Sequence, residues 1–180
     1  MLNRICAVAL VLFALANTSW AADTENLQLF RQVQRQVLSY PHFTIFDNVG
    51  AQVDAGTVVL TGKVTMPYKL HDIERRVRRV TGVSQVHNRI EVLPVSQFDD
   101  DLRLRIARAI YTNQAFRPFA SMVNPPIHII VERGRVTLEG VVISDVDRMV
   151  ARSIAGSFLS FEITNNLKTE REVRTDLEKL

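Results

Sequence analysis

Histidine, cysteine and acidic side chains are the residues of this 180-residue chain that could bind a metal or act as catalytic nucleophiles, acids and bases. The four histidines stand at positions 42, 71, 87 and 128, and no two of them have the four-residue spacing of a helical zinc motif. Cys6 is the only cysteine. Catalytic glycine motifs and carboxylates suited to acid–base work are also missing from the sequence. We therefore expect a protein that is not an enzyme, uses no cofactor or metal and has no small-molecule substrate.

An acidic triplet, Asp99 to Asp101, could suggest a cation site. Ser96 and Asp99 form an S-x-x-D box, in which the serine hydroxyl accepts a hydrogen bond from the backbone at the start of a helix. Acidic side chains are also favoured there by the positive end of the helix dipole. Helix capping is therefore favoured over cation binding.

Four arginines in the sequence ERRVRR (74–79) could bind anions. Apolar residues recur around them with helical spacing at Leu70, Ile73, Val77 and Val80, which turns the arginines outward or to the flanks of the helix. An exposed arginine contributes about 1 kcal/mol near an anionic membrane. The candidate lipid-binding residues are Arg75, Arg76, Arg78 and Arg79. The alternative is a solvated helix face that Asp72 and Glu74 partly neutralise.

A second candidate surface lies on the helix predicted to follow residue 99, which is the third predicted helix after residue 21 and is labelled α3. Its inward positions are Leu102, Ile106, Ala109 and Ile110. Its opposite face carries an apolar stripe with helical spacing, which we call the α3 stripe: Leu104, Ala107, Arg108 and Tyr111. The following segment, 115–126, adds Phe116, Arg117, Phe119 and Met122. Aromatic and methionine side chains beside arginine suit contact with a bilayer or a partner protein. The alternative is that the stripe packs against the first half of the chain.

The elements that must position these surfaces occur twice in the sequence. GTVVLTGKV (56–64) and GRVTLEGVV (134–142) are identical at all five odd positions, which share one face of a β-strand. Each segment follows an alternating strand and a tight turn, with Gly56 or Gly134 at a position that needs positive φ. An amphipathic helix and a further strand follow each hairpin. The second of these helices is predicted to bury Val146, Met149, Val150 and Ile154. A helix also precedes each hairpin, and the first is predicted to bury Phe30, Val33 and Val37.

We therefore predict an α/β protein of the α+β type, with two tandem α-β-β-α-β modules, each a small three-stranded sheet packed by two helices. The first module spans 24–93, a linker spans 94–98, the second module spans 99–168 and a C-terminal tail spans 169–180. Gly62 and Gly140 lie in an inward column, which predicts a bulge or a closely packed helix backbone. The conformation of residues 168–180 is left open.

Residues 1–21 have the pattern of a cleavable signal peptide: a basic start, eleven apolar residues and small residues at Ser19 and Ala21. The apolar run is too short to span a bilayer. Cys6 does not follow the run, so the pattern is not that of a lipoprotein. We expect export to a bacterial periplasm, with a retained N-terminal anchor as the alternative. Without Arg4 the net charge is near +2, which does not favour a nucleic-acid partner.

The repeated pattern resembles the BON domain. The first copy carries it at Gly56, Val58, Leu60, Gly62, Val64, Gly82, Val83, Val86, Asn88 and Ile90. The second copy ends with Ile163, Asn165 and Leu167, but it has Leu159-Ser160 in place of Gly82-Val83 and an insertion before its hairpin. The resemblance implies a non-catalytic envelope protein that binds phospholipid surfaces and protects against osmotic and other stress. We expect peripheral association with anionic phospholipid membranes. The alternative is a periplasmic adaptor or chaperone-like factor that binds envelope proteins through the same second-module surface.

Outward positions of the first module's leading helix provide a comparison for the α3 stripe. Residues 31, 32, 35 and 36 are all arginine or glutamine. Changes at Arg31 or Gln32 are therefore expected to have little effect, whereas aspartate at Leu104 or Tyr111 is expected to weaken binding without unfolding the chain.

Overall fold

The structure, a computed structural model, describes residues 24–177, so the expected signal segment lies outside the described residues. Its first half contains helix α1 (24–38), β1 (Asn48–Asp54), β2 (Thr57–Val64), α2 (Pro67–Val77) and β3 (Gln85–Val92). Its second half contains α3 (Gln97–Thr112), a 3-10 helix (Arg117–Ser121), β4 (Ile127–Glu132), β5 (Arg135–Val142), α4 (Asp145–Gly156), β6 (Glu162–Asn165), β7 (Lys168–Thr169) and α5 (Glu170–Leu177). The predicted α-β-β-α-β order therefore occurs twice.

Two small mixed sheets confirm the α+β class. In each, an antiparallel hairpin is extended by a parallel strand, in the orders β1-β2-β3 and β4-β5-β6. The second sheet gains a fourth strand, because β7 pairs with the end of β5. Helix α5 then begins with a reciprocal cap between Thr169 and Glu172, in which each backbone N–H donates to the other side chain. The C-terminal segment therefore forms both a short strand and a helix.

Both hairpins turn through two residues with positive φ, as the two glycines predicted. These residues are Ala55 and Gly56 in the first hairpin and Arg133 and Gly134 in the second. The start of the preceding helix binds each turn: the Ala55 N–H donates to Asn26 Oδ1 at 3.1 Å, and the Arg133 N–H donates to Asp99 Oδ2 at 2.8 Å. Asn26 and Asp99 are therefore equivalent positions in the two modules.

Asp99 also explains the acidic triplet. The Ser96 hydroxyl accepts from the Asp99 N–H, which confirms the predicted helix cap. The second Asp99 carboxylate oxygen accepts from the Gly134 N–H at 2.7 Å. Because both oxygens of this buried side chain are bound to the turn, its role is to join α3 to the hairpin.

The equivalence of Asn26 and Asp99 aligns the two leading helices. The buried residues of α1 are Leu29, Val33 and Val37, and their counterparts in α3 are Leu102, Ile106 and Ile110. The prediction that Phe30 faces the first core is wrong by one position, because Leu29 completes the four-residue spacing and Phe30 is only partly buried. The counterpart of Phe30 is Arg103, a buried residue that donates to the Val131 carbonyl at 3.1 Å.

Gly62 and Gly140 have the same role in both sheets. Their φ angles are +116° and +117°, a region that favours glycine. A Cβ atom at Gly62 would lie 2.1 Å from the Asn48 carbonyl oxygen, and one at Gly140 would lie 1.9 Å from the Pro126 carbonyl oxygen. The close neighbour is therefore the chain at the start of the adjacent strand. The alternative of a closely packed helix backbone was wrong.

Helix α4 packs through smaller residues than predicted. Ala151 and Ala155 are fully buried, and Val150 and Ile154 are partly buried against the second core. Val146 and Met149, which were predicted to face inward, are both about three-fifths exposed. Alanine brings the helix close to the sheet, so the larger residues one turn away remain on its outer face.

The modules meet along the edge of β4. The Ile129 N–H donates to the Ile45 carbonyl at 2.7 Å, and His128 Nδ1 lies 2.6 Å from the Asp47 carbonyl. Ile45 and Phe46 pack against the second core, and Lys63 forms an ion pair with Glu132. These contacts cover an otherwise free strand edge. The junction is therefore built mainly from the loop before β1.

Candidate functional site

The α3 stripe is largely covered by its own module. Ala107 and Phe116 are buried in the second core, so their prediction as surface residues was wrong. Tyr111 and Phe119 pack against the same core. The Tyr111 hydroxyl donates to the Ile127 carbonyl at 2.6 Å and accepts from the Ile127 N–H at 3.2 Å. The inserted segment before β4 thus folds back over the helix and buries the apolar face that the sequence predicted for a partner.

Four of the eight predicted residues in this region remain exposed. Leu104 is 53% exposed, Met122 is about half exposed, and Arg108 and Arg117 are exposed. Arg105 also lies on the exposed face of α3. Within residues 24–177, neither Arg105 nor Arg108 forms an ion pair with an acidic side chain. The exposed face of α3 therefore combines an aliphatic side chain with two arginines.

The arginine cluster on α2 is largely occupied by neighbouring groups. Arg75 pairs with Asp72 at 3.3 Å, and Arg78 pairs with Glu74 at 2.6 Å. Hydrogen bonds from Asn88 and Arg78 hold the pKa of the Glu74 carboxyl below its usual value, so the carboxylate that neutralises Arg78 is favoured. The side chains of Arg75 and Arg78 are therefore exposed to solvent, but a neighbouring carboxylate neutralises the charge of each.

Arg76 is part of the fold rather than of the surface. Its Nε donates to the Gln36 carbonyl at 3.1 Å, and its Nη2 donates to Ser39 Oγ at 3.0 Å. Its guanidinium also lies 5.7 Å from the centre of the Tyr40 ring. Arg76 thus fixes α2 against the end of α1. Within residues 24–177, this leaves Arg79 as the member of the cluster whose guanidinium forms neither an ion pair nor a hydrogen bond.

Arg79 lies in a groove that the sequence did not reveal. Arg31 and Arg35, one turn apart on α1, line this groove of about 530 Å³ together with Arg79. We call these three residues the arginine groove. The spacing of Arg31 and Arg35 could have indicated a basic helix face, but the contribution of Arg79 depends on contact between distant segments.

Exposed apolar residues concentrate in the second module. Of the thirteen large apolar side chains exposed within residues 24–177, nine lie from Phe98 onward. Two of them, Phe98 and Phe161, lie at the second hairpin turn, where their rings are the groups closest to Gly134, and a third, Leu159, precedes Phe161 by two residues. We call these three residues the apolar tip. Leu159 and Phe161 are each 84% exposed.

The first module has no such tip. The Ser84 N–H donates to the Gly56 carbonyl as the Phe161 N–H donates to the Gly134 carbonyl, so Ser84 is the counterpart of Phe161. Two residues earlier, Gly82 has a φ of +94°, whereas its counterpart Leu159 is not among the residues with positive φ. The departure from the repeat that the sequence showed at Leu159-Ser160 therefore changes both the backbone path and the exposed surface.

A buried ion pair joins Asp47 to Lys69 at 2.6 Å in the first module. Asp47 also accepts from the backbone and hydroxyl groups of Thr44 and Thr65. Burial alone would raise the pKa of Asp47, but the hydrogen bonds from Lys69, Thr65 and Thr44 outweigh it and hold the pKa below its ordinary value. The pair fixes the loop before β1, which forms most of the junction between the modules, to the end of β2 and to α2.

The asparagines that the sequence pattern singled out also have roles in the fold. The Asn88 amide donates to the Leu70 carbonyl at 3.1 Å, and the Asn165 amide donates to the Arg148 carbonyl at 2.9 Å. Each asparagine oxygen accepts from the N–H two residues further along. These contacts hold the last strand of each module to its helix.

Residues 24–177 contain neither a candidate metal site nor a helix that could span a membrane. No three His, Cys, Asp or Glu side chains there are grouped so that they could hold a metal ion. None of the helices within 24–177 has the length and apolar character needed to cross a membrane.

Comparisons with known proteins agree with the repeat. The family model for the BON domain matches residues 28–94 and again residues 99–171. No protein of curated function shows significant sequence similarity to the chain. Solved structures that resemble it include the C-terminal domain of CdsD, the structural protein of the type III secretion system of Chlamydia trachomatis. That domain has 12% identity and a TM-score of 0.34, over 83% of this chain and 68% of the other.

A second CdsD structure from Chlamydia trachomatis has 13% identity and a TM-score of 0.29, over 84% of this chain and 97% of the other. The two family matches together cover most of the described chain, and each contains one α-β-β-α-β unit. This chain therefore belongs to the BON domain family, with two copies of the domain in tandem.

Proposed function

We propose that the protein is a non-catalytic cell-envelope component that associates peripherally with anionic phospholipid membranes and protects the envelope under osmotic or other stress. BON domains are known in general for phospholipid and membrane association. The observation that carries the proposal is the exposed face of α3, where Leu104 lies beside Arg105 and Arg108. The signal-like pattern of residues 1–21 supports the periplasm as the location.

The chemistry of this face suits a membrane interface. Arginines without carboxylate partners attract an anionic leaflet over roughly one Debye length, about 8 Å at physiological salt. An aliphatic side chain then gains from burial at the boundary between headgroups and acyl chains. Attraction and burial together favour a protein that lies on the membrane.

The test is co-sedimentation of the protein with vesicles of phosphatidylcholine alone or mixed with phosphatidylglycerol, at low and high salt. We expect binding only to the anionic vesicles, with a steep loss as salt rises. Leu104→Asp should weaken binding severalfold while circular dichroism stays unchanged. Val95→Asp is the matched control, because Val95 is almost completely exposed in the linker. Equal binding to both kinds of vesicle, or none, would contradict the proposal.

The apolar tip favours a second candidate function, that of an adaptor or chaperone-like factor for envelope proteins. The neighbouring charges Arg135 and Glu162 pair with each other at 3.3 Å, so they add no net positive charge beside the tip. Suppression of aggregation of an unfolded envelope protein would test this function. We expect it to be insensitive to salt and to be lost in Phe161→Ser, while vesicle binding persists.

A further inference from the structure

Arg79 of the arginine groove differs from the other three arginines of the sequence 74–79, which are all bound by neighbouring groups. Arg31, Arg35 and Arg79 are exposed, and none of them forms an ion pair within the described residues. By contrast, Arg75 and Arg78 lie nearby on α2 and are paired with carboxylates. The groove therefore holds positive charge that its own surroundings leave unneutralised.

Contacts within the first module hold the backbone of this groove in place. Val33 and Val37 of α1 and Val80 after α2 are all in the first core. Arg76 donates to the Gln36 carbonyl and so joins α2 to the same stretch of α1. The two elements that carry the three guanidinium groups are therefore fixed before any ligand binds, which lowers the entropic cost of binding.

The remaining lining groups can add hydrogen bonds to an anion. Gln28, Gln32 and Thr81 line the groove and are exposed, and none of its lining residues is acidic. Arg31 and Arg35 lie one helical turn apart, so their Cβ atoms are about 6 Å apart and both guanidinium groups can reach one small anion. Guanidinium groups bind phosphate oxygens in pairs, through two parallel N–H donors.

We propose that the arginine groove is a binding site for a phosphate monoester. A monoester carries between about −1.5 and −2 charges at neutral pH and presents three acceptor oxygens. The phosphate diester of an ordinary phospholipid carries a single charge and presents two free oxygens. Three unpaired arginines therefore match the monoester better in both charge and number of acceptors.

The monoester could belong to a lipid headgroup or to a soluble molecule, and the two sources make different predictions. A headgroup source rests on the proposed membrane function and requires the groove to face the membrane. A soluble source does not depend on it. The experiment therefore has one arm for each source, and both use the mature protein.

The soluble arm measures backbone amide shifts by NMR during titration with glycerol 3-phosphate. We expect shifts confined to residues around 28–36 and 79–82, with saturation. The double variant Arg31→Gln, Arg35→Gln should weaken this binding about tenfold, because it removes two of the three guanidinium groups that bind the phosphate oxygens. Glutamine keeps the helix propensity and polarity of the face. The control is Arg75→Gln, Arg78→Gln, which removes the same charge from paired positions and should change binding by less than about twofold.

The membrane arm compares vesicles that contain phosphatidic acid with vesicles that contain phosphatidylglycerol, matched in electrophoretic mobility. If the source is a headgroup, the protein binds the phosphatidic acid vesicles severalfold more tightly, and the Arg31→Gln, Arg35→Gln variant loses that preference. If amide shifts are seen but the vesicles bind equally, the groove takes a soluble monoester. If the Arg31→Gln, Arg35→Gln variant changes neither the titration nor the vesicle preference, the arginine groove is not a phosphate monoester site. Binding to phosphatidylglycerol vesicles would still support the proposed function in that case.

Discussion

The first module presents arginine where the second presents leucine. Counting from the equivalent residues Asn26 and Asp99, Arg31 corresponds to Leu104 and Arg35 corresponds to Arg108. At the hairpin turns, Ser84 corresponds to Phe161. At two of these three pairs of positions the exposed side chain is polar in the first module and apolar in the second, whereas Arg35 and Arg108 are the same residue. The two modules therefore share the hydrogen bonds that hold the hairpin turns, whereas their exposed side chains differ.

Buried polar groups differ as well. Val49 pairs with Gly62 in the first module and Ile127 pairs with Gly140 in the second, so Val49 and Ile127 are equivalent positions. Two residues earlier, the first module has Asp47 and the second has Pro125. The two asparagine amides donate to the carbonyls of Leu70 and Arg148, so these two residues are also equivalent. The residue before each is Lys69 in the first module and Asp147 in the second. The Asp47–Lys69 pair is therefore a feature of the first module, beside the junction, while Asp147 instead caps α4 through Ser144. This comparison shows that a shared fold can tolerate an extra buried ion pair where two modules meet.

The largest effect should come from the glycines that the modules share. Gly62→Ala and Gly140→Ala should each destabilise the module that contains it by about 4 kcal/mol, because the new Cβ meets a backbone carbonyl and φ is unfavourable. Urea unfolding measures this. Gly50→Ala is the control, since its Cβ would lie 3.3 Å from the Thr61 hydroxyl without positive φ. Equal stability of all three variants would show that the strands are not as closely spaced as described.

A smaller effect, restricted to the first module, is expected from the buried ion pair. Asp47→Asn should reduce stability by about 3 kcal/mol, because Lys69 is left buried without a counter-charge. The exposed Asp54→Asn should change it by less than about 0.5 kcal/mol. If Asp47→Asn had the same urea midpoint as the wild type, the buried ion pair would contribute nothing to the stability of the first module.

The same pair predicts a dependence on pH. Because the pKa of Asp47 is lower in the folded chain than its ordinary 3.8, its contribution is present above that value and is lost as pH falls through the folded pKa. The stability gap between wild type and Asp47→Asn should therefore be present near pH 5 and shrink below about pH 4. Burial lowers the pKa of His128 and the neighbouring Asp47 opposes that shift, so the loss of stability below the ordinary 6.5 of His128 differs between the two proteins. Only the shrinking gap below about pH 4 therefore reports on the carboxylate of Asp47 itself.

Tyr111 tests whether the α3 stripe belongs to the second core. Tyr111→Phe should cost about 1 kcal/mol, because the hydroxyl bonds both backbone groups of Ile127. Thermal unfolding measures this, with Tyr68→Phe as the exposed control. Tyr111→Asp should unfold the second module, which reverses the expectation drawn from the sequence. A folded Tyr111→Asp protein with weaker vesicle binding would restore that expectation.

The smallest stability effect should come from the apolar tip. Phe161→Ser gives the second module the residue that the first has at the equivalent position. Because Phe161 is 84% exposed, we expect a stability change of less than about 0.5 kcal/mol. Fluorescence of a hydrophobic dye should fall, since Phe161 is the more exposed of the two aromatic rings in the apolar tip. A large loss of stability would instead place Phe161 in the core.

Local patterns in the sequence predicted most of the fold. Alternation with a period of two identified the hairpin strands, and Gly56 and Gly134 identified their turns, because both signals act over a few residues. Ser96 identified the start of α3 for the same reason. The candidate sites were predicted less well. The sequence located the arginines of the α2 region, the exposed Leu104 and, as the alternative, neutralisation by Asp72 and Glu74. It did not predict the contacts of Arg76 with the end of α1.

What the sequence by itself determined is the duplicated α-β-β-α-β order, the turns and the presence of a second apolar face on α3. Only the tertiary structure decided what covers that face, which is the inserted segment that carries Phe116. It also decided that Arg79 lines a groove with Arg31 and Arg35, while Arg76 is bound to the end of α1. The physical reason is that periodicity shows that a face must be buried or that a charge is exposed. The partner of either depends on contacts between residues that are distant in the chain.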